Sequence, residues 1–209
     1  MRRPDDRVPE RVIGGVPVDV ENPYADIDTG VVLARLAAAL DLIARFQPIR
    51  MRHFRRDVRQ IRVIRFPCRG AFLHDGQIVI TELTFLHKTA QHPDAEVASS
   101  ILHEGVHARV FAMAQHLGFE RTWSPADEER LCRRAELVFG RALPPSTGGP
   151  VIARAEMSLG LSDDEAVAPT VDWRQAERNQ RAIDEQRLGA VPQPGWLERL
   201  ARRIAGGGE

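Results

Sequence analysis

Residues 99–110 read SSILHEGVHARV and contain the pattern His-Glu-x-x-His. Residues four apart lie one turn apart on a helix, so the imidazoles of His103 and His107 can meet one metal ion. Zinc accepts neutral imidazole nitrogens in a tetrahedral shell. Glu104 lies beside the first histidine, close enough to reach a water molecule on the metal without being a ligand itself. This stretch therefore predicts a helix that binds zinc.

The residues around this pattern divide into two helical faces. Apolar or small residues form one face, namely Ala98, Ile101, Leu102, Gly105, Ala108 and Ala112. Polar residues form the other, namely Glu96, Ser99, Ser100, His103, Glu104 and His107. A helix that carries an active site needs one face buried on a sheet and one face lining a cleft. We therefore expect a long helix over about residues 94–117, rather than a solvent-exposed helix with two incidental histidines.

A catalytic zinc site of this type needs a third protein ligand. The metzincin pattern would place Gly at position 110 and His at position 113, but the chain has Val110 and Met113, which excludes that class. A glutamate from a following helix is the other source. Ser124 at the N-cap, Pro125 at the first position and Asp127 at the third predict such a helix, which runs to about residue 142.

Two glutamates near the start of that helix compete for this role. Glu128 lies on its apolar face, whereas Glu129 lies well away from that face. A buried carboxylate is costly unless a partner compensates its charge, and zinc would do so. We therefore predict Glu128 as the third ligand, with Glu129 as the alternative. Cys132 can also approach the metal, but a small buried packing residue is the favoured interpretation.

The rest of the pattern predicts an α+β fold. Two helices are expected before the sheet, at residues 30–46 and at about 50–59. Three strands are expected, at residues 61–66, 71–73 and 77–85. The Asp75-Gly76 pair between the last two strands predicts a tight hairpin. We expect a small antiparallel sheet with this hairpin, packed on the zinc-binding helix and on the second, ligand-bearing helix.

Composition divides the chain into three parts. Residues 1–27 hold several Pro, Gly and Asp without a period, which predicts a loose N-terminal arm. Residues 28–145 form the expected catalytic domain, and residues 146–209 form a tail with polar or amphipathic helices. An apolar stripe with flanking arginines over residues 196–204 suits a helix that touches a membrane surface, docks a partner or packs on its own domain.

Overall composition is that of a soluble globular protein, with 209 residues, 43% hydrophobic and 28% charged. The formal net charge of zero excludes a polyanion binder for the chain as a whole. Residues 50–65 hold seven arginines, a feature that can serve an anionic partner. No aromatic interleaving or nucleic-acid fold signature accompanies them, so a solvated helix face is favoured over nucleic-acid binding.

The cysteines and the start of the chain indicate the compartment. Cys68 and Cys132 lack CxxC spacing, which excludes a zinc ribbon or a thioredoxin-like redox pair. Two lone cysteines fit a reducing compartment. The charged first residues are not followed by an apolar run, so a secretory signal is not expected. No stretch predicts a membrane span, and we expect a cytoplasmic protein.

Three segments together resemble a known group of enzymes. QIVITELTF, SSILHEGVHARV and EERLCRRAELVFG are similar to the compact core of gluzincin, thermolysin-like zinc peptidases, over about residues 60–142. The resemblance implies His103, His107 and Glu128 as zinc ligands and Glu104 as catalytic acid and base. It also implies an edge strand, residues 78–85, that aligns an extended peptide. Such enzymes often add a His or Tyr to stabilise the oxyanion, for which the candidates are Tyr24, His87, His92, His116 and Arg109.

The function expected from this reading is that of a small intracellular zinc metallopeptidase. A zinc-activated water would cleave the peptide bond of a peptide or protein substrate, with Glu104 as the general base. The alternative is a zinc-binding regulatory or adaptor protein with a zincin fold, acting through residues 50–65 or the C-terminal tail. Hydrolysis of a non-peptide amide is a third option. The presence of Glu104 favours an enzyme, because zinc binding for structure alone does not require it.

Overall fold

The computed structural model describes residues 11–22, 26–66, 68–88, 91–118 and 124–166, together with residues 178 and 182. The strands are β1 (Arg11–Ile13), β2 (Val16–Val20), β3 (Gln60–Ile64), β4 (Gly70–Leu73) and β5 (Ile78–Glu82). The helices are α1 (Thr29–Phe46), α2 (Pro48–Asp57), α3 (Leu83–His87), α4 (Asp94–Leu117), α5 (Pro125–Ala142), α6 (Pro145–Leu159) and α7 (Asp163–Ala166). The expected α+β class is confirmed.

The five strands form one mixed sheet in the order β1-β2-β3-β5-β4. β2, β3 and β5 run parallel, while β1 and β4 are antiparallel to their neighbours, so the expectation of an antiparallel sheet is wrong. The reason is that α1 and α2 separate β2 from β3, and a crossover of this length returns the chain to the same end of the sheet. The hairpin at Asp75-Gly76 is confirmed, since β4 and β5 pair antiparallel around it.

Residues 11–20, which composition assigns to a loose arm, form β1 and β2. Gly14 and Gly15 connect the two strands with φ angles of 59° and 84°, a conformation that glycine adopts without strain. In β2, Val16, Val18 and Val20 are buried and alternate with more exposed residues. Because these strands are short and lie among Pro, Gly and Asp residues, they cannot be recognised from composition.

The C-terminal part of the predicted third strand is helical instead. β5 ends at Glu82, whose carboxylate accepts a hydrogen bond from the backbone N–H of Phe85 and so begins α3. β5 lies between β3 and β4, so the expectation that residues 78–85 form an edge strand is wrong. β4 pairs with the side of β5 that faces away from β3, so β4 forms the edge of the described sheet on this side.

α4 spans the residues predicted for the zinc-binding helix and ends at Gly118, whose φ is 63°. α2 packs closely on its back. A Cβ atom at Gly105 would lie only 2.5 Å from Cδ2 of Phe54, so a residue without a side chain is needed for this approach. This close approach holds α2 against the back of α4.

α5 begins with the predicted cap, in which the side chains of Ser124 and Asp127 each bond to the other's backbone. α6 begins at the start of the expected tail and packs on α5, with Val151 and Ala155 buried. The predicted stripe over residues 196–204 lies outside the described residues. Among the helices described, none has both the length and the apolar character needed to cross a membrane.

Candidate metal centre

The two histidines of α4 point toward one common position. The Nε2 atoms of His103 and His107 lie 3.2 Å apart. His103 is buried and His107 is partly buried, so both rings are held by their surroundings. The pairing expected from the four-residue spacing is present in the structure.

Glu129 on α5 faces both of these nitrogens. Its Oε2 atom lies 3.3 Å from Nε2 of His103, and its Oε1 atom lies 3.3 Å from Nε2 of His107. Two donors that are each bonded to a tetrahedral zinc ion are themselves about 3.3 Å apart, given typical bond lengths. Each imidazole therefore faces one oxygen of Glu129 at the spacing of two donors on one metal ion, with a different oxygen facing each ring.

Glu128, the predicted third ligand, lies on the other side of His107. Its Oε1 atom is 2.7 Å from Nδ1 of His107, the ring nitrogen that points away from His103. Glu128 is the more buried of the two glutamates, as expected. Burial, however, does not determine which carboxylate reaches the Nε2 atoms, and the structure places Glu129, the alternative, at that position.

Glu136 was not singled out from the sequence, yet it holds the first histidine. It is fully buried, and its Oε1 atom lies 2.7 Å from Nδ1 of His103. Ser99, Arg133 and Arg154 all donate hydrogen bonds to its carboxylate. Carboxylates that accept from the second nitrogen of a metal-binding histidine fix its tautomer and orientation. The signal in the sequence is that Glu136 follows Glu129 by seven residues, two helical turns.

Cys132 also lies at this centre, one turn after Glu129 on α5. One donor atom each from His103, His107 and Cys132 lie within 4.8 Å of one another, and this buried group can hold a metal ion. The histidine pair therefore has two neighbouring donors on α5, a carboxylate and a thiol. The distances of 3.3 Å from Glu129 to the two Nε2 atoms match those of two donors on one ion, so the proposal below takes Glu129 as the third donor. The sequence favours a packing role for Cys132 over an approach to the metal, whereas the structure brings its thiol close to both histidines.

The acidic groups around His103 and His107 stabilise positive charge at this centre. Burial alone would lower the pKa of His103, but Cys132, Glu129 and Glu136 outweigh burial and raise that pKa to about 10. The pKa of His107 is raised for similar reasons, against the effect of burial. Burial would raise the pKa of Glu129, but the two histidines hold it well below its usual range. The pocket therefore stabilises either two protons on its imidazoles or a divalent cation between neutral ones.

Glu104 lies on the sheet side of the histidine pair. A Cβ atom at Gly70, the first residue of β4, would be 3.1 Å from Oε1 of Glu104, so the carboxylate packs against the edge strand. Burial raises the pKa of Glu104, and the neighbouring histidines oppose this shift. A carboxylate with a raised pKa is suited to exchanging protons near neutral pH.

Among the described candidates for an oxyanion-stabilising residue, none is shown in contact with this centre. Tyr24 lies outside the described residues, and His87 and His116 are exposed. His92 pairs with a glutamate, Glu96, and Arg109 pairs with Asp57 on α2. Arg133, which the sequence did not single out, brings a positive charge to this centre. Its guanidinium lies 4.0 Å from Oε2 of Glu129.

Several arginines of residues 50–65 are used in internal contacts. Arg55 donates to the backbone carbonyl of Gly14 at 2.7 Å, and Arg56 pairs with Asp57. Arg62 pairs with Glu21, and Arg65 pairs with Asp26. These contacts tie α2 and β3 to the start of the fold. The expected solvated helix face is limited to α2, where Arg52, Arg55 and Arg56 are exposed, because Arg62 and Arg65 lie in or just after β3.

Comparison with known proteins finds no matching protein family, no similar curated protein and no similar solved structure. The function proposed below therefore depends on the residues and their geometry.

Proposed function

We propose that this protein is a zinc-dependent hydrolase, specifically a small metallopeptidase, in which His103, His107 and Glu129 hold the metal. The observation that carries the proposal is the carboxylate of Glu129, 3.3 Å from the Nε2 atom of each histidine. Two imidazoles and a carboxylate are a known ligand set of catalytic zinc. The compact gluzincin architecture suggested by the sequence is part of this proposal.

Zinc, when bound, supplies a Lewis acid at the point where these three side chains meet. Glu104 is a neighbour of the ligands and serves as the general base: its carboxylate accepts a proton from the attacking water and passes it to the leaving nitrogen. Glu136 and Glu128 accept hydrogen bonds from the Nδ1 atoms of the two histidines, which leaves both Nε2 atoms available as donors. Arg133 is the residue that we assign to stabilise the negative charge that develops on the substrate oxygen during attack.

The position of β4 supports a peptide substrate. It pairs with β5 along one side only and forms the edge of the described sheet. A sheet edge presents free backbone groups that can pair with an extended peptide. Because Gly70 at the start of β4 contacts Glu104, a peptide aligned there passes beside the proposed base.

The adaptor alternative has less support. Four of the seven arginines in residues 50–65 make the internal contacts described above, and the C-terminal stripe lies outside the described residues. A buried carboxylate at position 104 is costly in a protein that uses zinc only for structure. The enzyme therefore accounts for more of the residues at this centre.

The test compares wild type with Glu104→Gln, which keeps the side-chain size and removes the base. Both proteins are assayed with a broad peptide library, with cleavage read by mass spectrometry and zinc measured on each. We expect equal zinc content and a loss of cleavage of at least about a hundredfold in the variant. Equal cleavage by the two proteins, or no cleavage by zinc-loaded wild type, would contradict the proposal.

A further inference from the structure

Cys132 lies beside the histidine pair, and the hydrolase proposed above gives it no role. It is fully buried on α5, three residues after Glu129 and four before Glu136. These spacings place the three side chains on neighbouring positions of one helix face. That face packs on α4, which carries His103 and His107.

The surroundings of Cys132 are mixed rather than purely apolar. Val106 and Ala135 are its buried apolar neighbours. A thiol enclosed only by such groups would be an inert packing residue. Here the same pocket contains His103 and His107, with one donor atom of each residue within 4.8 Å of the others.

We propose that Cys132 is a fourth protein ligand of the metal and that it closes the site in the resting protein. This inference rests on the metal site proposed above and adds its regulation. Zinc sites with four protein ligands are closed, whereas catalytic sites keep one position open for water or substrate. Imidazole, carboxylate and thiolate together form a ligand set that zinc tolerates well.

The closed site becomes catalytic by ligand exchange. In this exchange the Cys132 thiolate would leave the metal with its electron pair, and a water molecule would take the vacated position. No group is oxidised or reduced in this exchange. Glu129 lies on the same helix and stays in contact with both histidines, so α5 remains attached to the metal while Cys132 leaves. A substrate that enters the cleft and displaces the thiolate would open the site in this way, so zinc-loaded wild type is expected to cleave a suitable peptide without a further partner.

Cobalt(II) provides the test, because it replaces zinc in such sites and reports sulfur ligation by a near-ultraviolet thiolate-to-cobalt charge-transfer band. Wild type, Cys132→Ser and Cys68→Ser are titrated with Co²⁺. Cys68 is the matched control, since it is the other cysteine of the chain and bonds to the carbonyl of Gly70. We expect the band in wild type and Cys68→Ser and its loss in Cys132→Ser, which keeps the visible bands of bound cobalt.

The outcomes separate the two proposals. Cobalt binding by wild type without the charge-transfer band overturns Cys132 as a ligand and leaves the hydrolase proposal standing. Failure of wild type to bind cobalt at all overturns both.

Acetohydroxamate tests the closed state in the wild-type protein itself, which keeps the proposal testable if Cys132→Ser does not fold. Because this small metal-binding molecule needs an open position, it must displace the thiolate and weaken the band as it binds. We also expect it to bind Cys132→Ser at least about tenfold more tightly than wild type, a free-energy difference of about 1.4 kcal/mol. A band that persists at saturation, or equal affinity for the two proteins, overturns the closed resting state.

Discussion

The carboxylate of Glu128 lies 2.7 Å from Nδ1 of His107, on the side of the ring that faces away from the other histidine. This contact orients the ring and leaves Nε2 available for the proposed metal. The adjacent residue, Glu129, faces Nε2. Two consecutive glutamates thus face different nitrogens of one imidazole.

Glu129→Gln should weaken zinc binding much more than Glu128→Gln. The first substitution removes a charged ligand, whereas the second removes a partner of a ligand, a change that typically costs about ten- to a hundredfold in affinity. Competition titrations with a chromophoric chelator measure both constants. The opposite ranking would show that Glu128 is the ligand and that the described positions of the two carboxylates do not apply to the metal-bound protein.

Glu136→Gln should lower zinc affinity by about ten- to a hundredfold, because it weakens the hydrogen bond that orients His103. Glu156→Gln on α6 is the matched control, since Glu156 is 54% exposed and pairs only with Arg141 among the contacts described. Zinc affinity of both variants is measured under identical conditions. Equal affinity of Glu136→Gln and wild type would mean that the ring of His103 is oriented by other contacts.

Zinc binding should release protons. The raised pKa values of His103 and His107 keep both imidazoles protonated in the metal-free protein at neutral pH. Each must lose its proton to bind zinc, so at least about two protons should appear per zinc bound. Calorimetry in buffers of different ionisation enthalpy counts them. Binding without proton release would contradict the predicted charge state.

The same raised pKa gives the metal-free protein a defined pH dependence. The pKa of His103 is higher in the folded state, about 10, than the ordinary value of 6.5. Its contribution to stability is therefore complete below pH 6.5 and is lost as the pH rises toward 10. Zinc affinity should rise across the same range, because protons compete with the metal.

Gly105→Ala should destabilise the fold by about 1–3 kcal/mol, the usual effect of overpacking. The added methyl group would lie 2.5 Å from the ring of Phe54, which is fully buried. Gly149→Ala is the control, because a Cβ atom there meets nothing within 4 Å. It should be neutral or stabilising. Urea denaturation of the metal-free proteins compares them, and equal stability of Gly105→Ala and wild type would show that α2 and α4 adjust without cost.

Much of the helical framework could be predicted from the sequence because its signals are local. The four-residue spacing of His103 and His107 and the two-faced pattern around them define α4. Ser124, Pro125 and Asp127 define the start of α5. The hairpin turn between β4 and β5 is equally local. Each of these features depends on residues within a few positions of one another, so no knowledge of tertiary contacts is needed.

The ligand geometry and the sheet could not be predicted in the same way. The choice between Glu128 and Glu129 depends on how α5 is rotated and tilted against α4. The apolar face of α5 defines its rotation only approximately, which is not enough to distinguish two adjacent residues. The placement of Glu136 and Cys132 at the centre has the same cause. The parallel pairing of β3 with β5 joins strands that are not consecutive, so the hairpin pattern gave no indication of it.

The zinc content of the purified protein is the most direct test of the metal centre. Wild type is expected to carry about one zinc per chain, and tight binding should be lost in His103→Ala, in His107→Ala and in the double variant. Native mass spectrometry measures the stoichiometry, and circular dichroism shows whether each variant keeps its helices. Full zinc occupancy in the double variant, or a folded wild type that binds no zinc from solution, would contradict the account.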